Sequence, residues 1–77
     1  MKKQLKIETN YEDVLKEVIQ FCNKMYKSDF RIIDKIESSD GNYVIVEYEV
    51  ATDENVYNLG CKFGYYLTDL RAKGEIK

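Results

Sequence analysis

The spacing of apolar positions changes along the chain, and each change marks an element. Gln4-Leu5-Lys6-Ile7-Glu8 alternates polar and apolar residues. This is the period-two pattern of a half-buried strand, with Leu5 and Ile7 on one face. From Tyr11 the spacing lengthens. Tyr11, Val14, Leu15, Val18, Ile19, Cys22, Met25 and Tyr26 recur at steps of three and four, with Phe21 at the margin of the stripe. That predicts an amphipathic helix from about Asn10 to Lys27. Thr9-Asn10-Tyr11-Glu12 fits a capping box at its start, and Asn10 capping with Asp13 three residues on fits equally well.

Period two then returns. Residues 30–51 read FRIIDKIESSDGNYVIVEYEVA, two β-prone runs around Ser39-Asp40-Gly41, a hairpin signal. The faces choose its register. A two-residue turn at Asp40-Gly41 would set Lys35 opposite Val46 and Ile32 opposite Glu49, mixing charge and apolar residues on both faces. A three-residue loop, Ser39 to Gly41 with Gly41 at positive φ, sets Ile36 opposite Val44, Ile32 opposite Tyr48 and Phe30 opposite Val50. Its other face pairs Arg31 with Glu49 and Glu37 with Tyr43. This second register is the expected one, with Asp34 the one charge on its core face. The run YVIVEYEV belongs in the centre of a sheet; the run carrying Arg31, Asp34 and Lys35 suits an edge.

Thr52-Asp53-Glu54-Asn55 opens a second helix with a cap residue followed by acids. Val56, Leu59, Gly60, Phe63, Leu67 and Leu70 form its stripe, and Gly74 fits its stop. Cys61, Phe63, Tyr65 and Leu67 also alternate as a strand would, but cap, stripe and stop agree on a helix over 56–73. Glu75-Ile76-Lys77 leaves room for a brief last strand. The order is β-α-β-β-α in one domain spanning 1–77. The expected fold is an α+β two-layer sandwich, ferredoxin-like in order with its last strand reduced or absent, and with both helices on one face of a three-stranded antiparallel sheet.

Composition narrows the chemistry. Lys and Arg total 12 against 14 Asp and Glu, a net charge of -2 with the signs interspersed. Nucleic-acid binding through a basic stripe is therefore not expected. The element order is also that of an RNA-recognition motif, but the basic-Gly-aromatic run such a motif needs on its third strand is missing. No apolar run nears the roughly 20 residues of a membrane span, and MKKQLKIETN lacks the apolar core of a signal peptide. A cytoplasmic protein that does not bind membranes is expected. Small size and a lysine-rich, arginine-poor composition fit a phage or mobile-element gene.

The chain has no histidine, and its cysteines, Cys22 and Cys61, are not at CxxC spacing. Two buried free thiols are expected, with no zinc set and no Cys-His or Ser-His nucleophile. There is no phosphate-binding glycine loop. Glu47 and Glu49, some 7 Å apart along one strand face, read as a solvated pair, with Arg31 placed to neutralise Glu49, rather than as an acid–base pair. No cofactor and no enzymatic activity are expected. Gly60 and Gly64 each cost about 1 kcal/mol inside a helix. Another backbone, from the first helix or the sheet, is expected to approach them; a helix–helix dimer contact is the sharper alternative.

What remains is surface. On the sheet face away from the helices the expected register shows Gln4, Lys6 and Glu8, then Arg31, Ile33, Lys35 and Glu37, then Tyr43, Ile45, Glu47 and Glu49. Ile33, Tyr43 and Ile45 form a candidate partner-binding patch, with Arg31, Lys35, Glu37, Glu47 and Glu49 in its rim. Tyr57, Tyr65 and Tyr66 on the second helix form another, since tyrosine is favoured at interfaces. The expected function is a non-catalytic interaction module, a small intracellular regulator or inhibitor that binds another protein or a second copy of itself. The alternative is a domain that senses a small ligand or nucleotide.

Overall fold

The computed structural model describes residues 1–76. Its elements are β1 (Lys3–Glu8), α1 (Glu12–Tyr26), β2 (Arg31–Ser38), β3 (Gly41–Tyr48) and α2 (Asp53–Ala72). The strands form one antiparallel sheet in the order β1-β3-β2, so the expected α+β arrangement is the observed one. Glu75 and Ile76 are not in a strand, and Lys77 lies outside the described residues.

The core is where the three periodicities meet. β3 turns Val44, Val46 and Tyr48 inward; α1 contributes Leu15, Val18, Ile19 and Cys22, and α2 contributes Leu59 and Phe63. Leu5 and Ile7 of β1 pack against the same cluster. Each fully buried aliphatic side chain here stabilises the fold by roughly 1.5–3 kcal/mol before entropy is counted. α2 opens as its sequence implies. Thr52 Oγ1 accepts from the Asn55 N–H, and the Asn55 side chain accepts in return from the Thr52 N–H.

The hairpin departs from the expected register. Ser38 pairs with Gly41 across a turn at Ser39-Asp40, and Ile36 pairs with Tyr43 and Lys35 with Val44. The register shifts between Ile32 and Asp34, beyond which Ile32 pairs with Val46 and Arg31 with Glu47. Ile33 is the extra residue of a β-bulge. Three expectations fall with this shift. Ile36 lies on the open face rather than in the core. Asp34, opposite Ile45, leaves the core face for the open one. Lys35 and Glu37 move to the helix-side rim, where they pair with each other at 3.3 Å. Gly41 has positive φ, at +143°, as the turn requires. Phe30 does not face Val50: it is buried, its ring tilted against that of Tyr48 with centroids 5.3 Å apart, while Val50 is exposed in the loop beyond β3.

α1 starts two residues later than expected and has no side-chain cap. Thr9 Oγ1 instead takes the Tyr11 N–H, and Asn10 Oδ1 accepts from the Asn42 side chain. Both cap candidates are spent on fixing the β1–α1 loop. The helix ends at Lys27 in the left-handed conformation, and Met25 and Tyr26 are exposed rather than part of the stripe.

Two polar side chains hold the remaining loops. Asn23 accepts from the Ser28 hydroxyl and the Phe30 N–H and donates to the Phe30 carbonyl. Asp29 accepts the consecutive N–H groups of Glu49, Val50 and Ala51 at 2.8, 3.0 and 2.9 Å, which joins the start of β2 to the β3–α2 loop. Those bonds, that to Val50 foremost, hold its carboxyl below the usual range.

The glycines and cysteines also correct the sequence reading. A side chain built at Gly60 or Gly64 would meet nothing within 4 Å, so among the described residues no other backbone packs closely against them. Cys22 is buried, and burial raises its pKa. Cys61 is exposed, with the Tyr57 hydroxyl hydrogen-bonded to it.

Candidate interaction surface

The uninterrupted alternation of β3 that buries Val44 and Val46 puts Tyr43, Ile45 and Glu47 on the face without helices. β1 adds Gln4, Lys6 and Glu8, opposite Glu47, Ile45 and Tyr43 in turn. β2 adds Arg31, Asp34 and Ile36 by its pairing, with Ile33 in the bulge two residues on from Arg31. Ile33 is 44% exposed and Ile36 39%, while Tyr43 and Ile45 are half-buried between their neighbours. The open face thus carries an apolar strip of Ile33, Ile36, Tyr43 and Ile45. Sequence reading missed Ile36. The one signal was the Ile32-Ile33 doublet, which breaks strict alternation and so marks where an extra residue can sit.

Arg31 and Glu47, two of the charges around the strip, are already paired. Arg31 bonds Glu47, and Lys2 stands 3.8 Å from the same carboxylate. Arg31 above all lowers the Glu47 pKa. Lys6 Nζ sits 4.3 Å from the centre of the Tyr43 ring, a cation–π contact. The Tyr43 hydroxyl bonds Glu8, which raises its pKa. Glu49 lies past the end of β3, beside the N-terminal amine at 3.4 Å. Arg31, Glu47, Tyr43 and Ile45 are therefore brought together with Ile33, and Glu49 stands at one end.

The helix tyrosines divide. Tyr57 and Tyr65 are 71% and 69% exposed, whereas Tyr66 is half-buried against the core. Between β1 and α2 runs a groove of about 230 Å³ lined by Leu5, Ile7, Leu15, Val56, Leu59 and Phe63, with Gly60 at its wall. Among the described residues no group of three or more His, Cys, Asp or Glu side chains could hold a metal ion. No helix of the described chain is long and apolar enough to cross a membrane. Comparison with known protein families, with curated proteins and with solved structures gives no match.

Proposed function

We propose that this protein is a non-catalytic interaction module, a small regulator or inhibitor that binds another protein through the open face of its sheet. The apolar strip of Ile33, Ile36, Tyr43 and Ile45, left uncovered on a sheet whose other face is filled by helices, carries this reading. An apolar centre within a polar rim is the anatomy of a protein interface. Arg31 and Glu47 in the rim neutralise each other, so an arriving partner covers that pair without leaving either charge bare. Tyr43 is held in place by Lys6 and Glu8 and loses little freedom on binding. A phage or mobile-element origin and a cytoplasmic setting accord with the chain's size and composition.

Replacing Ile33 and Ile45 together by serine tests the proposal. Neither side chain belongs to the helix-side core, so the melting temperature should fall by only a few degrees. Native mass spectrometry of the protein isolated from its own cells should show a bound partner chain that the double variant has lost. Retention of the partner by the variant would remove the open face from the proposal. A bound small molecule in place of a chain would favour the sensing reading.

A further inference from the structure

We infer that β1 pairs antiparallel with β1 of a second copy, joining two sheets into one of six strands and closing the groove beneath α2. This uses a surface other than the open-face strip. The two edges of the sheet differ in a way that singles out β1. Both edges carry charged side chains, but the β2 edge is also broken by the bulge at Ile33, which hinders edge pairing. β1 runs Lys3–Glu8 with no bulge and no proline, and among the described residues no strand pairs with its outer side.

Hydrogen-bond alternation fixes which groups are on offer. The Thr9 N–H bonds the Asn42 carbonyl, so Ile7 and Leu5 also point their backbone at β3. Lys6 and Glu8 then point theirs outward. Pairing two copies about Ile7 sets each Lys6 opposite Glu8 of the second copy, as backbone-bonded pairs with opposite charges. On the helix side it sets Ile7 against Ile7, with Leu5 on either side of the dyad. Over the strand residues that overlap, Lys6 to Glu8, the pairing is self-complementary in charge and in face, as a two-fold contact requires. The groove of Leu5, Ile7, Val56, Leu59 and Phe63 opens at this edge. Gly60 and Gly64, which nothing approaches within one chain, leave room for α2 of the second copy to lie close.

A charge exchange provides the test. Sedimentation equilibrium of the wild-type chain at about 100 μM should give an average mass at least about 1.8 times the monomer's, as for any contact with a Kd of about 10 μM or tighter. Lys6→Glu and Glu8→Lys each place like charges at both pairs and should weaken the dimer about tenfold or more. An equal mixture of the two variants should dimerise again, because opposite charges then meet at every pair. Lys6→Pro, which removes an outward N–H that the fold does not use, should be monomeric with an unchanged circular dichroism spectrum. The Ile33 and Ile45 serine variant should remain dimeric, so failure of the open-face reading leaves this result standing. A wild-type monomer at this concentration would overturn the inference. So would variants that stay dimeric, or a mixture that does not pair.

Discussion

Asp29 shows how much one side chain can organise. Its carboxylate gathers three successive N–H groups at the exit of β3, donors that no strand or helix would otherwise satisfy. The bonds favour the charged form, so the folded pKa lies below the ordinary 3.8. A depressed carboxylate pKa contributes stability that is present above the unfolded value and is lost as pH falls through the folded one. Asp29→Asn should therefore flatten the acid side of the stability profile below about pH 4. At neutral pH it should cost on the order of 1 kcal/mol, one amide oxygen replacing a charged acceptor in a half-exposed site. Urea unfolding of both proteins at pH 7 and pH 3 measures this; equal losses at both pH values would contradict it. Thr9 and Asn10 illustrate the opposite limit. Each is a sound cap residue by type, and each is drawn away by a partner, Asn10 by an asparagine 32 residues distant. Local pattern cannot anticipate such a partner.

At the scale of elements, β3 was legible because it keeps one period throughout, α1 because its stripe holds to Cys22, and α2 because its cap, stripe and stop agree. Val44, Val46 and Tyr48 were assigned inward and Tyr43 and Ile45 outward from alternation alone, and the structure agrees. β2 was misread because its period slips at the bulge. Past that point every side chain changes face, and Ile36 leaves the core while Asp34 escapes it. α2 was read correctly in extent, but its glycines were assigned a neighbour they do not have. Gly64 costs helix propensity without a packing return inside the chain. Gly64→Ala should accordingly raise the stability of the monomer by about 1 kcal/mol, or a melting temperature by about 4–8 °C. Thermal unfolding of the dilute protein, where self-association is negligible, measures this, and a fall in melting temperature would reveal an unseen contact.

Taken whole, the molecule is a sheet with one filled face, one open face and two unlike edges. The candidate open-face site was legible in part. Tyr43 and Ile45 sit on the regular central strand, while Ile36 reaches the strip only through the bulge. Arg31 was expected to face Glu49 but faces Glu47, since the shift moves it two places along β3. The open groove was not legible, because it depends on how α2 lies over β1 and no residue type records that.

The bulge has one more consequence. Since Ile32 already pairs with Val46 and Asp34 with the adjoining Ile45, removing Ile33 would close the ladder without moving any other pair. β2 therefore carries one residue of slack. A chain lacking Ile33 should keep its circular dichroism spectrum and melt within a few degrees of the parent. One lacking Ile45, which pairs with both neighbouring strands, should not fold. The hairpin can thus change length at one point while its helix-side contacts stay in place, and a shortened β2 would present a flatter, less protected edge to its surroundings.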